Sequence, residues 1–333
     1  MTAIPLSTDP EADLIDQPVP VVGQTQVGEE VISNGKTGDA KISICVPTWR
    51  DSADALLCSL PRMPGAEECT LLIFDDGSHD PTLLRQLTRQ VMRFPGPARL
   101  ISAPKNCGRS HARNRLFDLA ETEWVLFLDA DMQPDDTDFL NRYLDAVDAQ
   151  ASAAVIAGGF SLRHARPTSE TRLHAAQSAA SECVPASRRA EAPGRYVFTS
   201  NILVHRRVLE TVAFDPGFQG WGWEDVDWGL RVSADFPILH IDNPATHLGL
   251  DEDAKILDKY AGSVDNFLRL TDRHPDEMSQ TSLYKAAHWL SPIPGLMGLA
   301  KLCRIIAKTK ALPLRLRLLS LKVFRAAIYG ARL

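Results

Sequence analysis

Between Lys41 and Leu128 the chain switches repeatedly between two hydrophobic periods. Short apolar runs of strand length occupy 42–46, 70–74, Ala98–Ser102 and Trp124–Leu128, while 52–60, 81–94 and 110–120 repeat their apolar residues every three or four positions. The first kind of segment predicts buried strand and the second amphipathic helix. Strand and helix in regular succession predict an α/β fold, a Rossmann-like and mostly parallel sheet with helices on both faces, and ligands at the carboxyl ends of its strands. Further on, 161–195 is polar and rich in Ala, Ser and Arg, which predicts one helix and a mobile loop. Segments 196–205 and 236–241 predict two more strands. Residues 1–39 have neither period and are acidic and rich in Gly, Pro, Thr and Asp, so they predict a disordered tail. The chain thus divides into a tail (1–39), an α/β domain (40–255) and a helical C-terminal region (256–333).

Candidate chemistry gathers where the strands end. The run Trp124–Leu128 stops abruptly at Asp129, so a buried strand delivers Asp129 and Asp131 to its exposed end, with small Ala130 between them. Both carboxylates can reach one hard divalent cation, Mn²⁺ or Mg²⁺, whose shell is completed by substrate phosphates. Capping of a following helix is the alternative that two acids alone leave open. The segment Asp75-Asp76-Gly77-Ser78 is a turn into a helix, and Asp76 can accept from a nucleobase N–H or a ribose hydroxyl. Lys105 to Arg115 then opens a helix with four cations in eleven residues, a composition suited to a diphosphate.

Downstream lies Trp221-Gly222-Trp223-Glu224-Asp225-Val226-Asp227. Its glycines permit left-handed backbone, and Trp221 and Trp223 offer flat faces on which an acceptor sugar can stack. Glu224 and Asp225 are adjacent, so on a regular helix they cannot point the same way. One can face a reacting hydroxyl as general base while the other faces the scaffold or the acceptor, and desolvation by the indoles would raise the pKa of the base. An acidic helix start with tryptophans in the core is the bland alternative. Asn201, inside a predicted strand, is a candidate acceptor contact. His247, which ends another, is a candidate metal ligand.

Composition adds limits. The net charge of −6 conceals an asymmetry: the first forty residues carry seven acids and one lysine, and everything after Glu277 carries ten Lys or Arg and no acid. Arg315, Lys322, Arg325 and Arg332 recur at helical spacing opposite Leu, Phe and Ile. This pattern predicts an amphipathic helix that lies on an anionic membrane surface or packs on protein. No aromatic-basic platform accompanies the charge, so nucleic acid is not an expected partner. Six cysteines without Cys-x-x-Cys spacing read as reduced packing residues. The first forty residues lack a signal-peptide pattern and no segment has the length of a membrane span, so a cytoplasmic protein, peripheral at the inner face of the cell membrane, is expected.

The order of these parts, Val46-Pro47-Thr48, Asp75-Asp76-Gly77-Ser78, Asn106 to Asn114, Asp129-Ala130-Asp131, Gly220 to Asp227 and His247, resembles the inverting GT-A glycosyltransferases of family 2 over about 41–250. The Trp-Gly-x-Glu-Asp stretch is similar to that of galactosyltransferase domains. The resemblance implies that Pro47, Thr48, Asp51, Asp76, Arg113 and Asp129 bind the donor nucleotide, a UDP-sugar, and that Asp129, Asp131 and His247 hold Mn²⁺ or Mg²⁺. It implies Asp225 as the base, Glu224 as its support or an acceptor contact, and a glycan or lipid-linked acceptor in polysaccharide or glycolipid synthesis. Trp223 departs from the galactosyltransferase-like pattern, which has glycine there, so no particular sugar is carried over. The rival is a non-catalytic sugar-nucleotide-binding or scaffold protein of the same fold, against which stand the four intact acids. A nucleotidyltransferase would need a glycine-rich phosphate loop that 47–56 lacks.

Overall fold

The computed structural model describes residues 20–25 and 28–333. Two strands come first, β1 (Val21–Gln24) and β2 (Glu30–Ser33). Four strands then alternate with three helices: β3 (Ile42–Thr48), α1 (Asp54–Ser59), β4 (Cys69–Asp75), α2 (Pro81–Arg93), β5 (Ala98–Ser102), α3 (Arg109–Leu119) and β6 (Trp124–Leu128). The middle of the chain forms β7 (Met132–Pro134), α4 (Phe139–Asp148), β8 (Val155–Ala157), β9 (Phe160–Ser161), α5 (Arg172–Ser181) and α6 (Ala186–Arg189). It continues through β10 (Asn201–His205), α7 (Arg206–Thr211), α8 (Glu224–Val232), β11 (Ile238–His240) and β12 (Ala245–His247). Helices α9 (Asp253–Gly262), α10 (Val264–Arg273), α11 (Pro275–Ser279), α12 (Ser282–Leu290), α13 (Leu296–Lys308) and α14 (Leu314–Gly330) complete it.

The large sheet runs β1-β2-β5-β4-β3-β6-β10-β8-β11. Its centre, β5-β4-β3-β6, is parallel as the alternation of elements predicts. The flanks are not: β1, β2 and β10 pair antiparallel with their neighbours, which makes the sheet mixed. Alternate residues of the central strands serve two cores. Ile42, Ile44, Leu71, Ile73, Leu126 and Leu128 face Leu56, Leu87 and Phe139, whereas Cys45, Leu72, Phe74, Val125 and Phe127 face Leu116, Val208 and Trp228. A strand buried on both faces must be apolar throughout, which is why these runs show no polar alternation. Each such side chain contributes about 1.5–3 kcal/mol by leaving water.

Three expectations need correction. The tail expected over 1–39 is in part sheet, because β2 pairs with β5 from Glu30↔Ser102 to Ser33↔Arg99. Its polar residues are buried with partners: Glu29 receives two hydrogen bonds from Arg115, and Asn34 joins Val91, Gly96 and Ala98. Residues 1–19 and 26–27 lie outside the described part. The loop expected within 161–195 is held down by Arg189, whose guanidinium donates to the carbonyls of Val184, Ala157, Gly158 and Ile241 at 2.7–3.2 Å. The segment is ordered because those buried carbonyls need a donor.

Asn201 is the third. It is 1 % exposed, accepts from Tyr143 Oη at 2.7 Å and donates to the carbonyls of Gly159 and Asn243 at 2.9 and 3.0 Å. Its oxygen and both amide protons tie β10 to neighbouring segments, and it lines neither lobe of the cleft described below, so it is no acceptor contact. Asn201→Ala leaves three buried partners unsatisfied and is expected to lower unfolding stability by about 1–3 kcal/mol. Urea denaturation measures this, and an unchanged midpoint would return Asn201 to the surface chemistry from which it is here removed.

Candidate active site

The carboxyl ends of β3, β4 and β6 open into a two-lobed cleft. The first lobe, about 620 Å³, is lined by Pro47, Thr48, Asp51, Asp76, Arg113 and the start of α3. The second, about 330 Å³, lies between α8, the 193–196 turn and the C-terminal helices. Arg109, Asp129, Asp131, Trp221, Glu224 and Lys259 line both, so they mark the junction.

The first lobe is shaped by backbone turns. Thr48 Oγ1 donates to the Asp51 carbonyl at 2.6 Å, and Asp51 Oδ1 accepts from Ala53 N at 2.9 Å. Asp76 binds the incoming loop, accepting from Cys107 N at 2.9 Å and Gly108 N at 2.8 Å. Gly77, at φ 73°, is pressed against the backbone of Lys105, where a Cβ would collide. Asp76 therefore positions the loop, and each of its oxygens keeps a second lone pair for a ligand. Arg113 is 2 % exposed and donates to Asp129 Oδ1 at 2.8 Å, yet its Nε and Nη1 are buried without a partner. Two orphaned donors in a cleft wall mark a place for an acceptor-rich ligand.

Asp131 and His247 meet because β12 pairs with β7, setting His247 opposite Met132. The distance from His247 Nε2 to Asp131 Oδ2 is 3.1 Å, and His247 Nδ1 is buried without a partner. Gly249 leaves the room this pair needs, since a Cβ there would collide with the Asp131 carboxylate. Burial pushes the Asp131 pKa up, but the imidazole outweighs it and holds the carboxyl below its ordinary range. An imidazole and a carboxylate side by side, with a second carboxylate one turn away, suit Mn²⁺ or Mg²⁺. Asp129, the third expected ligand, is joined to Arg113 through Oδ1. Among the described residues, one set of three His, Cys or acid side chains has all its ligand atoms within 4.8 Å of one another: Asp76, Cys107 and His111. That proximity follows from the closure of the loop by Asp76.

Helix α8 begins with the acid pair. Its N-cap, Trp223, has left-handed backbone at φ 76°, between Gly222 at 96° and the helix. Asp225 accepts from Thr199 Oγ1 at 2.6 Å and Thr199 N at 3.3 Å, and it lines the second lobe alone. Glu224 lies at the junction. Burial and then the charge of Asp225 push the Glu224 pKa up to about 7, and burial pushes Asp225 up as well. Asp227, the third acid of the stretch, is fully buried beneath the site and paired with Arg231, Arg273 and His274.

Trp221 stands at the junction, its ring edge-on to Tyr260 and 5.6 Å from Lys259 Nζ. Trp223 lines the second lobe but also packs against Phe267 and Tyr329, which makes it structural as well. Lys259 and Arg325 also line the cleft, and Thr199, fully buried, supports it from behind through Asp225; none of the three carries a local signal for a site. Arg109 sits in the basic stretch that opens α3, where the signal was regional.

The model of the family described as Glycosyl transferase family 2 matches residues 43–211. No curated protein matches the chain in sequence. Among solved structures, the mannosyltransferase PcManGT from Pyrobaculum calidifontis, in complex with GDP-Man and Mn²⁺, is similar at a TM-score of 0.53 and 15% identity, covering 89% of this chain and 88% of its own. S. aureus TarS 1-349 in complex with UDP-GlcNAc is similar at a TM-score of 0.46 and 15% identity, covering 88% of this chain and 91% of its own. The first of these shares the GT-A fold. The family match runs from β3 to α7, more than half of the chain, and the chain belongs to glycosyl transferase family 2.

Proposed function

We propose that this protein is an inverting glycosyltransferase that moves a sugar from a nucleotide-sugar donor, a UDP-sugar in the first instance, to a hydroxyl of a glycan or lipid-linked acceptor. The observation that carries this reading is the junction itself, where a lobe of nucleotide size and a smaller aromatic lobe share Asp129, Asp131 and Glu224. In the donor lobe, Pro47, Thr48, Asp51 and Asp76 hold the base and ribose, and Arg113 lends its charge to the nucleotide from the wall. Arg109 and Lys259 take the diphosphate charge. PcManGT, solved with GDP-Man and Mn²⁺, supports a nucleotide-sugar donor and a divalent ion.

Asp131 and His247, with Asp129, would hold Mn²⁺ or Mg²⁺, which supplies charge stabilisation to the departing diphosphate. Asp225, fixed by Thr199 and facing the acceptor lobe, takes the proton of the acceptor hydroxyl. The hydroxyl oxygen bonds to the anomeric carbon from the face opposite the diphosphate, and the carbon–oxygen bond to the diphosphate breaks with its electron pair leaving on that oxygen. Glu224 orients the hydroxyl, and Trp221 and Trp223 stack on the acceptor.

Only the ionised base accepts the proton, and its pKa is raised, so kcat/KM is expected to fall as pH drops through the raised range. Asp225→Asn should lower turnover by about 10²–10⁴. UDP release from a panel of UDP-sugars with Mn²⁺ measures both. Turnover that survives Asp225→Asn would give the base role to Glu224, and nucleotide binding without turnover of any donor would favour the non-catalytic protein of the same fold.

Membrane contact moves to a different face from the one helical spacing suggests. Arg325 turns into the acceptor lobe, and α14 is a packed element with Leu321, Phe324, Ala327 and Tyr329 buried. No helix among the described residues is long and apolar enough to cross a membrane. The exposed apolar face instead carries Trp289 and Ile293 before α13 and Met297, Leu302 and Ile305 on it. Lys301 and Lys308 share that face, and the absence of acids after Glu277 suits an anionic lipid surface. Met297→Glu with Ile305→Glu should reduce co-sedimentation with phosphatidylglycerol vesicles by at least about tenfold. Equal sedimentation of the double variant and the parent would remove the membrane role.

A further inference from the structure

Helix α14 contributes one side chain that its packing does not explain. It carries two arginines turned inward. Arg317 is paired with Asp253 and donates to the Ala307 carbonyl at 2.8 Å, as a buried cation requires. Arg325 is different. It reaches into the acceptor lobe, with its guanidinium 4.0 Å from the Tyr260 ring centroid and 6.0 Å from that of Trp223. Among the described residues it forms no ion pair, and its Nε is buried with no hydrogen-bond partner. The groups around it are Tyr260, Tyr329, Trp223 and, further off, Glu182, whose carboxylate accepts from Ser178. Arg195, from the 193–196 turn, lines the same lobe and likewise forms no ion pair or side-chain hydrogen bond among the described residues.

A guanidinium does not shed its proton, so half-burial beside aromatic rings leaves its charge in place. The ring faces and the Tyr329 hydroxyl offset part of the lost hydration, and Nε alone is left without a partner. The same lobe holds carboxylates that already have partners, Asp251 with Lys255 and Lys259, Glu182 with Ser178 and Asp225 with Thr199, while Arg325 and Arg195 stand outside any ion pair among the described residues, an arrangement that fits a sugar or polyol carrying a negative charge. We propose that the acceptor lobe is an oxyanion-binding subsite, and that Arg325 with Arg195 selects an acceptor bearing a phosphate or carboxylate group near its reacting hydroxyl. This rests on the glycosyltransferase reading for the word acceptor. The oxyanion site itself stands on the geometry of the two arginines.

The test fills the donor lobe with UDP and Mn²⁺ and titrates glucose, glucose 6-phosphate and glucuronate by calorimetry into the full chain and into Arg325→Met. The charged hexoses are expected to bind the parent at least tenfold more tightly than glucose. In Arg325→Met their affinity should fall by about thirtyfold or more, with glucose and UDP affinities unchanged. Preference for the phosphate or for the carboxylate distinguishes the two sources of the oxyanion. Charged and neutral hexoses of equal affinity, or an Arg325→Met protein that keeps the preference, would overturn the proposal. If Arg325→Met does not fold, Arg195→Met carries the same expectation from the other wall. A protein that fails to bind UDP but still discriminates charged from neutral hexoses through Arg325 would remove the catalytic reading and leave the subsite.

Discussion

The buried ion pair between Arg113 and Asp129 is the contact on which the cleft depends. Asp129, Asp131 and Glu224 gather at the junction of the two lobes with Asp225 beside them in the second, and burial raises the cost of ionising Glu224 and Asp225 together. Arg113 lies close enough to Asp129, Glu224 and Asp225 for its charge to act on all three. It comes from α3, beneath the sheet edge, so the helix that opens with the diphosphate-suited stretch also supplies the cation that lets the acids coexist. A buried arginine with one paired nitrogen and two orphaned ones is costly unless a ligand completes it, and the nucleotide lobe is where that ligand would sit.

The other wall is supplied by the C-terminal helices. Trp223 holds a left-handed backbone that costs a bulky residue on the order of 1 kcal/mol. Its ring is locked between Phe267, Tyr329 and Arg325, and this anchorage repays the strain and fixes the direction in which α8 starts. Glycine would adopt that backbone freely but could not tie the acid pair to α10 and α14. Tryptophan at this left-handed position is thus explained by packing. The same packing narrows the acceptor lobe and brings Arg325 into it.

Much of this was legible along the chain. The strands and helices from Ile42 to Leu128 lie where the two hydrophobic periods place them, because residues buried on both sheet faces cannot be polar. Acids at the ends of β4 and β6 and at the start of α8 were recognisable, since polar residues that interrupt an apolar run at its exposed end seldom serve packing. The sheet position of β2 was not, because its buried polar residues are satisfied by partners such as Arg115 and Gly96, each more than sixty positions away. Asn201 misled for the same reason: an amide in a strand looks like a ligand contact until its three partners are known.

The sequence by itself determined the parallel core, the acidic ends of its strands and the family, since these follow from local periods and from short motifs. Only the tertiary structure decided which acid lines which lobe, that Arg113 pairs with Asp129, and that Arg325 lines the second lobe while Lys322 stays in solvent. Those outcomes depend on where distant segments pack, and helical spacing gives the angle of a side chain about its own axis without saying what lies on that side.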